Sequence, residues 1–219
     1  AMGAPVEIEF VLDLEEPDQN GNPTLWLLQI KPLIRMENHV DVDFNEVDEE
    51  RVILRSEKGM GNGLYNQIKD LIFMDVNKFD RTKTRNMGRE LAELNKKMEM
   101  EGREYVLIAP GRMGTRDPST GIPVYWSQIS GARVIVEMGL PGFPLDASLG
   151  SHFFHNVTSM NVGYFSVHQK NTREFVDISY LEKQKVKEDT GYFKHIEFEK
   201  PLTVLMDGKN QKAVVMRGE

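Results

Sequence analysis

The sequence predicts an α/β fold, with a mixed α+β arrangement as the alternative, on three observations. Residues 6–13 largely alternate apolar and polar side chains, a period of two that is typical of a strand with one buried face. Residues 82–101 repeat apolar side chains at helical spacing. Short apolar runs bounded by Gly and Pro are interleaved with helical segments along the rest of the chain, which favours a layered domain.

The N-terminal residues 5–32 predict a long β-hairpin. Residues 15–23 supply the turn-forming Pro, Asp, Asn and Gly, and residues 25–30 form a nearly all-apolar second arm. Pro32 ends that arm, because proline has no N–H for the strand ladder. Residues 36–50 are acidic and poor in aromatic side chains, so we expect a linker and the domain boundary there.

Residues 51–219 are expected to form one compact α/β domain. Its clearest element is the 82–101 helix, whose apolar stripe consists of Met87, Leu91, Leu94 and Met98. Strands are predicted over residues 51–56, 68–76, 105–109, 132–138, 163–168, 193–206 and 211–216. Helices or helical turns are predicted over residues 127–131, 151–159 and 177–187, and loops over residues 59–63, 110–121 and 139–150.

Composition narrows the class of function. The 219 residues carry a net charge of −7, which argues against a surface for nucleic acid or anionic membranes. The chain contains no cysteine, which excludes disulfides, thiolate metal sites and a cysteine nucleophile. The sequence shows no membrane-spanning apolar run and no signal peptide, so a cytoplasmic protein is expected. Residues 1–3 are expected to be a cloning remnant.

Two groups of polar residues could bind phosphate. Glu9 and Gln29 lie on the two arms of the hairpin, where a carboxylate and an amide can hold a metal–phosphate group. A solvated Glu and a hydrogen-bonded Gln are the alternative. Arg112, Arg116 and Asp117 lie in the glycine-rich loop, where backbone N–H groups and arginines can cradle an anion. An ordered turn, with Asp117 paired to either arginine, is the alternative, and no Walker A sequence is present.

Two further groups are candidates for chemistry. His152 and His155 follow Ser151 and share one side of the predicted helix. Three roles are open for them. They are structural residues, they react with phosphoryl groups or anions, or they bind a metal ion with Glu137 or Asp146 as the third ligand.

Arg133 and Glu137 flank a strand core near Trp126, and they either line a cleft or form a structural salt bridge. A nuclease-type site at Asp117 and Glu137 is disfavoured, because no Glu-x-Lys follows.

The hairpin carries a family resemblance. Residues 6–10, VEIEF, and residues 28–32, LQIKP, resemble the closing hairpin of the ATP-grasp domain in phosphoenolpyruvate synthase and pyruvate phosphate dikinase. The resemblance implies that Glu9 and Gln29 bind Mg²⁺ and the ATP phosphates in a complete parent protein, and that Lys31 contacts the nucleotide. Lys31 stands where that family usually has Arg, and it lacks Arg's planar fork. The rest of the ATP-grasp domain is missing from this sequence, so no cofactor is expected for the isolated chain, which we expect to be inactive.

A second resemblance covers the centre of the chain. Four motifs resemble the C-terminal region of bacterial proteins with a phosphoenolpyruvate/pyruvate-binding domain. They are IAPGRMGTRDP at 108–118, GIPVYWSQISGARVIVE at 121–137, GSHFFHNVTS at 150–159 and GYF at 163–165. The resemblance implies an ATP-grasp domain upstream in the same chain, and it brings no known role for this domain.

Two hypotheses of function follow. In the first, the parent is an ATP-dependent phosphotransferase of the pyruvate, water dikinase type, and this domain is a phosphoryl acceptor, an anion-binding domain or a docking domain for a small anionic or phosphorylated ligand. His152 is then the candidate catalytic residue, because imidazole can accept a phosphoryl group and the family phosphorylates a His after Ser or Thr. The anion-binding candidates are Arg112, Arg116, Asp117 and Arg133. In the second, the domain is a non-catalytic ligand-sensing or oligomerisation module, and a homo-oligomer is an option.

Overall fold

The computed structural model describes residues 6–14, 21–32, 44, 47–143, 145, 162–168 and 173–218. The chain divides into two units, Ala1–Glu37 and Asn38–Glu219. No helix of the described residues is long and apolar enough to cross a membrane.

The first unit contains the predicted β-hairpin, which is confirmed. Strands β1 (Val6–Asp13) and β2 (Thr24–Pro32) pair antiparallel, and a register shift follows Glu9. Apolar side chains remain about half exposed along both strands; examples are Ile8, Phe10, Leu25, Trp26 and Leu28. Two strands alone bury little apolar surface, and an isolated hairpin is at best marginally stable in water.

The second unit is a mixed α+β fold, made mostly of strands. A seven-stranded sheet has the order β13 (Val186–Asp189), β14 (Phe193–Glu197), β6 (Asp70–Met74), β7 (Tyr105–Pro110), β10 (Ala132–Met138), β11 (Gly163–Val167) and β4 (Gly59–Met60). A five-stranded sheet has the order β12 (Phe175–Val176), β3 (Val52–Ser56), β16 (Lys212–Met216), β15 (Thr203–Asp207) and β5 (Asn62–Tyr65). A short pair joins β8 (Arg112–Met113) and β9 (Gly121–Ile122).

The four central strands of the larger sheet, β6, β7, β10 and β11, run parallel. Helix α1 (Thr84–Met100) connects β6 to β7, as a parallel pair requires. Its predicted apolar stripe is confirmed, because Met87, Leu91, Leu94 and Met98 are all buried against one face of the sheet. The helix begins two residues later than the sequence suggests, after a tight turn at Arg81–Lys83.

The five-stranded sheet covers the other face of the parallel strands. Successive side chains of a strand point to opposite faces, so Leu107 packs toward α1 while Val106 and Ile108 pack toward Leu54 and Val215. The unit therefore has three layers, one helix and two sheets, with a separate apolar core on each side of the central sheet. Burial of the central strands on both faces explains why their sequences are continuous apolar runs rather than alternating ones.

Three predicted elements are wrong in extent or type. The predicted 193–206 strand is two strands of different sheets, β14 and β15, because the chain leaves the first sheet before Pro201. Only Ile178–Glu182 of the predicted 177–187 helix is helical, and we label it α2; the segment after it pairs as β13 with β14. The predicted 59–63 turn contains strand residues of β4 and β5.

Candidate functional site

The carboxyl ends of β6, β7, β10 and β11 meet at one edge of the sheet, which is where ligands bind in open α/β sheets. The segments that leave these ends begin at Asp75, Gly111, Gly139 and His168. Chain segments far apart in sequence therefore come together at this edge, which we call the carboxyl edge.

A groove of about 480 Å³ opens at the carboxyl edge. The segment after β6 forms one wall, the segment after β10 forms the other, and the start of α2 contributes a third side. The lining residues are Val76, Phe79, Arg81, Leu140, Pro141, Gly142, Phe143 and Ile178. Its volume lies in the range of sites that bind small molecules, about 300–1,000 Å³.

An aromatic pair and one cation stand in this groove. The ring centroids of Phe79 and Phe143 are 4.8 Å apart. The guanidinium carbon of Arg81 lies 5.2 Å from the Phe143 centroid, a cation–π distance, and Nη2 donates a long hydrogen bond of 3.4 Å to the Ser119 carbonyl. No carboxylate in the part of the chain that the structure describes forms an ion pair with Arg81. The guanidinium therefore keeps donors for an anion in the groove.

Asp75 holds the start of the segment that follows β6 and carries Phe79. Its side chain is buried, accepts a hydrogen bond from the Asn77 N–H and pairs with Lys194 at 2.9 Å. Burial alone would raise the pKa of Asp75, but the hydrogen bonds from Lys194 and Asn77 lower the pKa below its ordinary value. Asp75 is therefore ionised at neutral pH, and the positive charge of Lys194 balances its negative charge.

The glycine-rich loop after β7 supports the opposite wall. Gly111 has a φ of +70°, and a Cβ there would lie 2.4 Å from Cε1 of Phe143. Only glycine therefore allows the Phe143 ring to lie against the loop. The loop is also held to the start of α1, where the Thr84 hydroxyl donates to the Pro118 carbonyl at 3.1 Å.

Glu137 holds this loop in place by hydrogen bonding to its backbone. Its carboxylate is fully buried, and it accepts hydrogen bonds from the Met113 N–H at 2.7 Å and from the Tyr164 hydroxyl. The geometry explains why a charged residue stands near the end of the apolar β10 strand: it ties β8 to β10 and β11. The sequence hypothesis of a cleft-lining Glu137–Arg133 pair does not describe this arrangement.

Arg133 lies away from Glu137, on the other face of the sheet. A register shift between Ala132 and Val134 breaks the regular alternation of the strand. The Arg133 guanidinium then stacks 4.4 Å from the centroid of the Tyr65 ring and donates to the Tyr65 hydroxyl at 3.0 Å. Arg133 is therefore not part of the carboxyl-edge groove.

The predicted anion cradle is an ordered turn at Asp117. Its carboxylate accepts the Ser119 N–H at 2.9 Å, and this hydrogen bond lowers the pKa of Asp117. The Thr115 hydroxyl bonds to the Asp117 backbone, which closes the turn. Arg116 is exposed and Arg112 is half-buried, and neither residue lines the groove.

A smaller cavity of about 240 Å³ adjoins the groove and shares Ile178 with it. Glu174 lines this cavity, and its buried carboxylate accepts the Glu57 N–H at 3.0 Å and the His168 N–H at 3.2 Å. The His168 Nδ1 atom lies 3.6 Å from the same carboxylate. Glu174 therefore places a carboxylate in the cavity beside the groove.

The pairing register of the hairpin brings the candidate ligands Glu9 and Gln29 together. Glu9 and Gln29 are direct cross-strand partners, and Lys31 pairs with Glu7. Direct partners lie on the same face of a two-stranded sheet, so the carboxylate and the amide can act on one ligand.

Several predicted site residues lie outside the described residues. These are Asp146, Ser151, His152 and His155, so the hypotheses about them remain predictions. In the described residues, no group of three or more His, Asp or Glu side chains could hold a metal ion.

Sequence reasoning missed the residues that line the groove. Phe79 and Arg81 looked like part of a connection before a helix, and Phe143 like part of a Pro/Gly loop. One indication is visible in the sequence: Phe79 and Phe143 are aromatic residues in segments that follow strands of the parallel sheet.

Comparisons give no relative: the sequence matches no protein-family model and no curated protein, and no solved structure matches the chain.

Proposed function

We propose that residues 38–219 are a binding domain for a small organic anion, attached to an ATP-dependent phosphotransferase whose nucleotide-binding domain ends in the N-terminal hairpin. The observation that carries the proposal is the groove at the carboxyl edge, with Arg81 as a cation that lacks a carboxylate partner among the described residues. In this scheme the domain holds or senses the acceptor, and the upstream nucleotide-binding domain is its partner in the same chain.

Arg81 is suited to anion binding for two reasons. Its guanidinium offers five N–H donors, and among the described residues only Ser119 accepts from it, through a long bond. The Phe143 ring beneath it orients the planar group and shields one face from water. A bound carboxylate or phosphate would form short, charge-assisted hydrogen bonds in a partly apolar setting, where such bonds are strongest.

The hairpin supports the phosphotransferase part of the proposal. Glu9 and Gln29 face one another across the strands, as a shared magnesium–phosphate ligand set requires. One hairpin supplies only a small part of a nucleotide pocket, so Mg²⁺ and ATP belong to the complete parent protein. The exposed apolar side chains of the hairpin would be covered there by the rest of that domain.

The proposal assigns His152 no essential part. Phosphoryl transfer to His152 stays a separate hypothesis within the same scheme. A purely oligomeric role is less well supported, because an interface does not require a cation without a described carboxylate partner beside a groove of small-molecule size.

The test is anion binding by the full 219-residue chain, measured by calorimetry and thermal unfolding. Pyruvate, phosphoenolpyruvate and orthophosphate are the probes. We expect at least one of them to bind, and a probe at about 100 times its Kd should stabilise the domain by about 2.7 kcal/mol. Arg81→Gln should weaken binding about tenfold or more, because a charge-assisted bond is lost.

Arg89→Gln is the matched control, since Arg89 is an exposed arginine of α1 outside the groove. The control should bind like the wild type. Equal affinity of the Arg81→Gln variant and the wild type for every anion that binds would contradict the proposal. So would the absence of binding by all small anions tested at millimolar concentration, including the apolar acid described below.

A further inference from the structure

We infer that the ligand of the groove is an apolar monocarboxylic acid, one carboxylate on a hydrophobic body, rather than a phosphorylated or dicarboxylic compound. The inference rests on the proposed anion-binding function and adds the chemical class of the ligand. Three properties of the described residues carry it: the number of positive charges, the position of the Glu174 carboxylate and the chemistry of the walls.

The positive charge of the groove fits one negative charge on the ligand. Among the eight described residues that line it, Arg81 is the one that is charged. A guanidinium and a carboxylate match as a planar, two-bond pair. A phosphate monoester carries about −1.5 to −2 at neutral pH and needs several donors or a metal ion to offset its dehydration.

A carboxylate in the adjoining cavity disfavours a second anionic group on the ligand. Glu174 lies in the adjoining cavity, and the two cavities share Ile178. A dicarboxylate that reached past Ile178 would bring like charges together in a partly buried site, which costs free energy. Glu174 also accepts two backbone N–H groups, from Glu57 and His168, so it is already stabilised without a ligand ammonium group.

The walls of the groove favour a ligand whose remaining surface is apolar. Val76, Leu140 and Ile178 present aliphatic side chains, and Phe79 adds an aromatic one. Burial of apolar ligand surface against such walls is favourable in proportion to its area. A small polar acid such as pyruvate would leave much of the groove filled with water and would use only Arg81.

The experiment compares four probes on the full-length chain: 3-phenylpropionate, its neutral amide, 3-phenylpropyl phosphate and pyruvate. Calorimetry gives the affinities. We expect 3-phenylpropionate to bind about tenfold or more tightly than the amide, because a charge-assisted pair is lost. We expect a similar advantage over pyruvate, because pyruvate buries less apolar surface, and over the phosphate.

Three variants make the test specific to the groove. Arg81→Gln should remove the preference for the acid over the amide, and Arg89→Gln should retain it. Leu140→Asp places a carboxylate on the half-exposed wall and should weaken binding of the acid more than binding of the amide.

The outcomes separate this inference from the proposed function. Tighter binding of pyruvate or of the phosphate than of 3-phenylpropionate, still dependent on Arg81, would overturn the inference and leave the anion-binding function standing. Equal binding of the acid and the amide to the wild type would show an apolar site without charge selection and would also overturn it. If none of the four probes binds at millimolar concentration, both proposals fail.

Discussion

Replacement of Gly111 by alanine tests the support of the groove most directly. The new Cβ would lie 2.4 Å from Cε1 of Phe143 and 2.8 Å from the Thr120 carbonyl oxygen. One contact is with a ring that lines the groove, and the other is with backbone that cannot move without breaking the β8–β9 pair. The φ of +70° adds backbone strain for any residue with a Cβ.

The expected loss of stability has two parts. A left-handed backbone conformation costs an alanine about 1–2 kcal/mol. Overpacking of a well-filled site costs about 1–3 kcal/mol more. The sum, about 2–5 kcal/mol, corresponds to a drop in Tm of about 4–20 °C, because a domain of this size loses about 2–4 °C per kcal/mol.

Gly102→Ala separates the two parts. Gly102 has a similar φ of +63°, but nothing lies within 4 Å of its Cβ position. The free energy of unfolding of this control should fall only by the cost of the left-handed backbone conformation, about 1–2 kcal/mol. Urea and thermal unfolding, followed by circular dichroism, measure both variants. If Gly111→Ala is no less stable than Gly102→Ala, the close packing of Phe143 on the loop is not a constraint, and the reasoning is refuted.

Four other predictions concern regions outside the groove. Asp70→Asn should destabilise the chain by about 3 kcal/mol in urea unfolding, because Asp70 is buried between Arg103 and His195 and the variant removes the carboxylate that both side chains contact; a loss below about 1 kcal/mol would contradict this. Hydrogen bonds from Arg103 and then Lys187 lower the pKa of Glu197 to about 2, so its contribution is present above about pH 4.3 and is lost as the pH falls toward 2. Glu197→Gln should therefore flatten this part of the acid-unfolding profile, and an unchanged profile would count against the pair. Calorimetry with Mg²⁺ and ATP should give no micromolar Kd for the 219-residue chain, since one hairpin lacks most of a nucleotide pocket. Limited proteolysis should cut first within residues 36–50, where few apolar side chains can anchor the chain, and first cleavage elsewhere would misplace the boundary.

The sequence predicted the elements whose periodicity is local. The α1 stripe and the strand at residues 132–138 appear where expected, because helical spacing and continuous apolar runs are direct consequences of burial on one face or on both. The hairpin was also predictable, because a turn-forming segment separates its two arms.

The errors arise where distant partners decide the structure. Residues 186–189 look like the end of a helix, but pairing with β14 makes them a strand. The register shift beside Arg133, which turns its side chain toward Tyr65, has no signature in the sequence. The groove combines residues 76–81 with residues 140–143, and their proximity follows from strand order alone. Strand order could not be deduced from the sequence, so the proximity of Arg81 to Phe143 could not be predicted.

The central place of β16 in the five-stranded sheet governs how the second unit can be synthesised. Among the described residues, β16 is the last strand in chain order, and it lies between β3, the first described strand of the second unit, and β15. While the ribosome is still adding residues 203–216, β3 has no neighbour on that side, and the apolar side chains that face it from the parallel sheet stay in contact with water. The nascent domain can therefore complete its helical layer early, but it must keep its second layer open until β16 has left the ribosome, and during that interval it is exposed to aggregation and to chaperone binding.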